Sequence, residues 1–314
     1  MHDSKPDKQP AGPAWERISA PNCGWGAAPF WHPQQERVYW VDRGNQRVWR
    51  LHLASCRTEM WQLDQTPGCV APCRNGGLLL ALRDGIYLSE SWQDIPQRIV
   101  HAPYESAQHC FGDGCCDPWG RFWIGTRVET GQPGAAGLYC LHKRDRPSPE
   151  LLRLLKGKQE SAGLAWSRDG QQLYWGDSTS GRIDSYPLTS AGRYPPLLGP
   201  ALGFAQLPLR QAGQEISGMP QGAAVDSAGN YWLALLDGAC VISMNRAGKL
   251  LSKIPTPALR PTGLCFGGPD LRTMFLTTAR AGLERSELSS HPDSGALFAL
   301  RVNTPGLPIT PYED

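Results

Sequence analysis

One segment recurs six times along this chain, and the repeat constrains the fold more than any other feature of it. Each copy has a loop, a short apolar run, a tight Gly/Asp-rich turn and a second apolar run rich in Tyr, Trp, Phe and Leu. The copies read GWGAAPFWHPQQERVYWVD, GCVAPCRNGGLLLAL, FGDGCCDPWGRFWIGT, SAGLAWSRDGQQLYWGD, PQGAAVDSAGNYWLAL and PTGLCFGGPDLRTMFLT. Equivalent positions fall at Ala27, Cys69, Gly112, Ala162, Gln221 and Thr262, which are 42, 43, 50, 59 and 41 residues apart. That period matches four-stranded propeller blades. A third apolar segment follows each hairpin: RVWRLHL, GIYLSE, GLYCL, RIDSYPL, ACVISM and GALFAL. Short apolar runs bounded by Gly, Pro, Asn and Asp read as strands, and DPWGR, SRDGQQ, DSAGN and FGGPD have the chemistry of tight turns. The pattern predicts an all-β protein, a six-bladed β-propeller of four-stranded antiparallel blades. Residues 15–314 form one domain, preceded by a disordered, Pro-rich lead-in at 1–14. GALFALRVN is a candidate partner for the chain's beginning, but either terminus can complete the last blade. The stretch 195–218 reads as an insertion over one face of the disc.

Charge narrows the function. Lys and Arg number 31 and Asp and Glu 29, a net charge of +2. Nothing in that balance calls for nucleic acid as a partner. No apolar run is long enough for a membrane span, and the N-terminus lacks the apolar stretch of a secretion signal. The expectation is a cytoplasmic protein whose partner is a small molecule in the central channel. The ten cysteines are then expected as free thiols. Cys240 and Cys265, in apolar runs, read as small buried hydrophobes. Cys23, Cys69, Cys73, Cys110, Cys115 and Cys116 fall in or beside the loops opening the first three copies. Zinc takes four converging ligands in paired short spacings. One C-x3-C and one C-x4-C-C, with His109 adjacent, fall short of that.

The strongest copies carry a resemblance. GAAPFWHPQQERVYWVD is similar to G-E-G-P-x-W…L-Y-W-V-D, and FGDGCCDPWGRFWIGT to N-D-G-x-x-D-P-x-G-R-x-W-x-G-T. SAGLAWSRDGQQLYWGDS is similar to S-N-G-L-x-W-S-x-D-G…L-Y-x-x-D-S, and MPQGAAVDSAGNYWLAL to P-D-G-x-x-x-D-x-x-G-x-x-W-x-A. These are signatures of the family of regucalcin (senescence marker protein), gluconolactonase and luciferin-regenerating enzyme, which the chain resembles over residues 23–302. The resemblance implies a six-bladed propeller, a divalent metal in the channel, and hydrolysis of lactones or related esters. Glu, Asn, Asn and Asp would hold the ion through oxygen, and the ion would polarise the carbonyl and activate water.

The chain departs from that pattern at each ligand position. Ala27 stands for the Glu, Gly112 for one Asn, Ala162 for the other, and Gln221 for the Asp. Ala and Gly have no side-chain donor, and one neutral amide cannot replace a dication's hydration. No cofactor is therefore predicted. Cys110 also replaces the Arg that commonly precedes N-D-G. The catalytic candidates that remain are Cys69, Cys110 and Glu129: a thiolate beside His109 or Arg127 as nucleophile, and Glu129 as base if burial raises its pKa. Trp25, Phe111, Asp113, Arg127 and Gln221 are candidates for substrate contact, with Arg127 as an anchor for a carbonyl or carboxylate. Each has a plainer alternative. Asp113 can brace its own loop, Arg127 and Glu129 can pair at the rim, Cys69 can plug the channel, and Trp25 and Phe111 can pack between blades. Asp42, Asp117, Asp177 and Asp226 read as turn and strand-end stabilisers. The preferred function is a metal-independent hydrolase acting on a small lactone, ester or related molecule. A non-catalytic binding or scaffold propeller and a conventional metal-dependent sugar lactonase stay open.

Overall fold

The computed structural model describes residues 14–19, 22–142, 148–190, 192–209 and 216–313. All but the last residue of the expected lead-in lies outside these. Six four-stranded antiparallel sheets follow one another along the chain. Their first strands are Gly26–His32, Pro67–Pro72, His109–Cys116, Ser161–Trp166, Met219–Val225 and Pro261–Gly267, opening blades I to VI in that order. Each of these strands packs against the first strands of both neighbouring blades, which closes a ring around a central channel.

The ring is locked by the N-terminus. Glu16 and Arg17 pair with Ala299 and Phe298, so Glu16–Arg17 is the outermost strand of blade VI. Blade IV departs from the sequence expectation. Leu202–Gln206 pairs with Arg182–Pro187 as that blade's fourth strand. The stretch read as an insertion over one face therefore completes a sheet, because the blade needs an outer edge.

The aromatic runs hold the disc together. Strand side chains alternate between the two faces of a sheet, and here both faces of the middle strands meet another blade. Trp40, Trp123, Trp175, Tyr39, Tyr174, Tyr231 and Phe275 are all fully buried. Among the described residues six hydrophobic clusters form, one at each blade-to-blade interface. Asp117 shows how the repeated turns are fixed: it accepts hydrogen bonds from the backbone of Trp119 and Arg121, from Arg121 Nε and from Trp123 Nε1. Asp42, Asp177 and Asp226 accept from neighbouring backbone amides in the same way.

Two features shape the channel. All six first strands slip register near their repeat positions: at Ala27/Phe30, Pro67/Cys69, Phe111/Gly114, Ala162/Ala165, Pro220/Ala223 and Pro261/Gly263. A bulge re-aims its side chains, here at the axis, where the strands crowd. A Cβ on Gly222 would lie 2.8 Å from Gly263 Cα and 3.1 Å from Asp113 Oδ2. Second, the C-terminal segment crosses the underside of the disc. The Gly306 amide donates to Leu271 O and Ser227 N to Pro305 O, on blades VI and V. Tyr312 N then donates to Pro72 O and Glu313 N to Gly120 O, on blades II and III. Among the described residues, no helix is long and apolar enough to cross a membrane.

Candidate active site

The loops joining second to third strands, and the segments entering the first strands, gather at one end of the channel, its upper mouth. The repeat positions ring this mouth without a carboxylate. Ala27 and Ala162 are buried and have no donor atom. Cys69 is fully buried in the cluster between blades II and III. Gln221 donates from Nε2 to Ser178 Oγ at 2.7 Å, and Thr262 Oγ1 donates to Gly26 O at 2.5 Å. No group of three or more His, Cys, Asp or Glu among the described residues is placed to hold a metal ion.

A cation is nevertheless built in. Arg43 lies in the loop after Arg37–Asp42 of blade I, and only 8% of its side chain is exposed. Nε and Nη2 donate to Gly68 O at 3.2 and 2.9 Å, and Nη2 also donates to Asp113 Oδ1 at 2.6 Å. Nη1 donates to no described residue. Arg43 thus reaches from blade I across blade II to blade III. Burial pushes the Asp113 carboxyl above its ordinary range, and Arg43 holds it back. The sequence offered Arg43 only as the residue after the V-D of the first copy.

A second charged cluster lines the rim. Glu129 Oε1 accepts from Arg127 Nη2 at 2.9 Å, and Oε2 from Arg83 Nη2 at 2.6 Å. Burial works to raise the Glu129 carboxyl, but the two guanidiniums outweigh it and hold it below the carboxylate range. The raised pKa on which a base role for Glu129 depended is therefore not met. Cys110 Sγ accepts from Arg127 Nε at 2.9 Å and lies 3.6 Å from Glu129 Oε1. Burial raises the Cys110 thiol despite Arg127, and burial raises the Cys69 thiol as well. Both are thiols at neutral pH, poor nucleophiles.

The aromatic candidates are placed elsewhere. Phe111 is 2% exposed and meets Tyr104 edge to face at 5.1 Å in the core between blades II and III. Trp25 packs against the cluster between blades I and II and pairs with Ala279. Phe111 directly precedes the repeat position Gly112, so alternation turns it into the interface, and Trp25 sits just before the strand Gly26–His32. No disulfide joins the cysteines among the described residues, and Cys56 is exposed in a turn.

One carboxylate in the mouth was not singled out from sequence. Glu160 directly precedes the S-A-G-L of blade IV and pairs with Arg127 as an antiparallel bridge. Below this charged mouth the channel opens into a largely apolar chamber of about 350 Å³. Asp113 and Gly222 stand at its upper end and Leu307, Pro308 and Ile309 of the C-terminal segment at its lower end.

Comparison with known proteins agrees with the architecture. The SMP-30/Gluconolactonase/LRE-like region model matches residues 25–280. A 6-deoxy-6-sulfogluconolactonase from Pseudomonas putida is 36% identical over 290 residues, 90% of this chain and 92% of that protein. A putative sugar lactone lactonase from Bacillus subtilis is 27% identical over 91% of this chain and 94% of its own. The crystal structure of regucalcin from Agrobacterium tumefaciens superposes with a TM-score of 0.86 at 23% identity, covering 97% of this chain and 98% of that one. This chain therefore belongs to the SMP-30/gluconolactonase/LRE-like family of six-bladed propellers.

Proposed function

We propose that this protein hydrolyses a sugar lactone in its upper mouth, with Arg43 supplying the fixed positive charge that a bound dication supplies in the pattern the chain resembles. The observation that carries this is the Arg43 guanidinium, anchored to Gly68 and Asp113 with Nη1 unengaged. The available donors do not fit a divalent ion. Three of the four ligand positions have no donor atom, and Gln221 is bonded to Ser178. Of the mouth's carboxylates, Asp113 is paired with Arg43 and Glu129 with Arg83 and Arg127, and Glu160 belongs to no group of three or more His, Cys, Asp or Glu among the described residues that could hold an ion.

Lactone opening needs an electrophile where negative charge develops on the carbonyl oxygen. Arg43 Nη1 offers that donor with no reorganisation, because two hydrogen-bonded partners fix the guanidinium plane. Arg127 also has an unengaged Nη1, suited to a hydroxyl or an anionic substituent. The sulfonated sugar lactone in the name of the Pseudomonas relative makes such a substituent a chemically reasonable substrate feature. The wall of the chamber below is mainly apolar, and the arginine in it, Arg168, donates from Nη1 to Ser227 O. The chemistry is assigned to the charges rather than to the volume.

Purified protein is tested by elemental analysis and by hydrolysis of glucono-δ-lactone and its 6-sulfonated analogue, before and after exhaustive chelation. Turnover above the spontaneous rate that survives chelation, and falls in Arg43→Met, is expected. Turnover that needs added calcium or zinc refutes the reading. A second reading, a non-catalytic binding propeller, is favoured only by the apolar chamber. Saturable binding of a small apolar ligand together with no turnover of either lactone would select it.

A further inference from the structure

We propose that Glu160 is the general base of this site, the group that takes the proton from the attacking water. The inference rests on the lactonase reading and adds to it a residue that the family pattern does not supply. It starts from register. Arg127 pairs with Cys110 on one side and with Glu160 on the other. Directly opposed residues of antiparallel strands project from the same face, with Cβ atoms about 4.5–5.5 Å apart. Cys110, Arg127 and Glu160 therefore stand in one row, facing the mouth that Arg127 and Glu129 line.

The backbone at Glu160 is held from both sides. Val128 N donates to Gln159 O at 2.9 Å, Ser178 N to Glu160 O at 2.9 Å, and Glu160 N to Asp177 Oδ1 at 3.1 Å. These bonds fix the Cα of Glu160 and so the point from which its side chain projects.

Elimination among the carboxylates of the mouth gives the same residue. Glu129 is clamped between two arginines, and Asp113 is bonded to Arg43. Glu160 accepts no hydrogen bond at its carboxylate from any described residue. The charged groups facing it are Arg127, Arg43, Asp113 and Asp177, with Cys110 and Glu129 beyond Arg127. Burial pushes its carboxyl up, Arg127 and Arg43 oppose that, and Asp113 and Asp177 add to it. An elevated carboxyl is the stronger base at neutral pH.

The step balances. Glu160 removes a proton from water as the water oxygen bonds to the lactone carbonyl carbon. The carbonyl electron pair moves onto oxygen, opposite Arg43 Nη1. On collapse the ring C–O bond breaks, and the leaving alkoxide takes the proton back from Glu160. Lactone and water become an open-chain hydroxy acid, which ionises in bulk solvent.

The test uses the full chain and the lactone that wild type turns over. Glu160→Gln is expected to lower kcat by about 10²–10⁴-fold, the range for a general base, with KM nearly unchanged. Wild-type kcat/KM should rise with pH through an elevated carboxyl pKa, and that limb should disappear in Glu160→Gln. Glu160→Asp keeps a carboxylate and should keep the limb. Formate should restore activity to Glu160→Ala saturably, which a merely structural role does not predict. An active wild type with Glu160→Gln within about tenfold of it overturns the assignment. So does a Glu160→Ala protein with a wild-type melting curve and no formate rescue. Absence of turnover in wild type instead sinks the lactonase reading itself, so the two failures are distinguishable.

Discussion

Replacing Arg43 by Met tests whether the channel depends on its built-in cation. The variant keeps most of the aliphatic volume and removes the charge. It strands Asp113, whose side chain is 16% exposed and whose carboxylate accepts, among the described residues, the 2.6 Å hydrogen bond from Arg43. Breaking one partner of a buried pair costs about 3–5 kcal/mol. Asp113 has one escape, which is to take a proton. From its ordinary value of 3.8, protonation at pH 7 costs about 4.4 kcal/mol, at 1.36 kcal/mol per unit. That figure caps the charge penalty, and the lost bond to Gly68 O adds about 1 kcal/mol. The sign follows from the direction of the shift. Without Arg43 the folded-state pKa of Asp113 rises far above its unfolded value. The penalty is then absent below about pH 4 and grows as pH climbs toward that new pKa. Urea denaturation of wild type and variant at matched pH isolates the effect. The expected loss is about 3–5 kcal/mol at pH 7, shrinking by up to about 2.7 kcal/mol at pH 5. Arg43→Met combined with Asp113→Asn should recover most of it. A pH-independent loss, or one below about 1 kcal/mol at pH 7, would refute the account of Arg43 as the neutralising charge.

Three further outcomes follow from the same geometry. Glu129→Gln should cost about 1 kcal/mol in urea melts at pH 7, since the clamp is about a quarter exposed. Because the Glu129 carboxyl is held low, the difference from wild type should vanish as pH falls through and below the carboxylate range. Gly222→Ala should destabilise by about 1–3 kcal/mol through the contact with Gly263, which a thermal melt would show as a lowered Tm; an unchanged Tm would mean that the neck is loose. Under brief iodoacetamide treatment, Cys56 should label first and Cys69 should resist, since burial raises Cys69 and Cys56 is exposed; peptide mapping by mass spectrometry reads both.

What was legible in the sequence divides along a physical line. The hairpins were plain because a blade must bury both faces of its middle strands, and that demand writes itself into Tyr, Trp, Phe and Leu at fixed spacing. The turn aspartates were legible for a related reason, since each satisfies backbone amides within its own few residues. The outermost strand of blade VI was not, because Glu16 and Arg17 are exposed and follow no alternation. The fourth strand of blade IV was hidden likewise, since Leu202–Gln206 lies at an exposed edge. The site divides the same way. Counting side chains at the six repeat positions found a ring without carboxylates, because the repeat makes those positions comparable. It could not find what fills the ring. Arg43 comes from a loop one blade away, and an arginine after V-D is ordinary turn chemistry until its guanidinium is seen on Asp113, 70 residues on. Glu160 is fixed by a bridge to Arg127 that no local pattern announces. An exchangeable ion leaves its trace as ligands at repeated positions. A covalently tethered charge needs none, so a propeller can change its source of positive charge while every blade-forming residue stays in place. Ala27, Gly112 and Ala162 offer no donor atom where the resembled pattern has ligands, and under the proposed reading the tethered charge of Arg43 stands in for the ion they would hold.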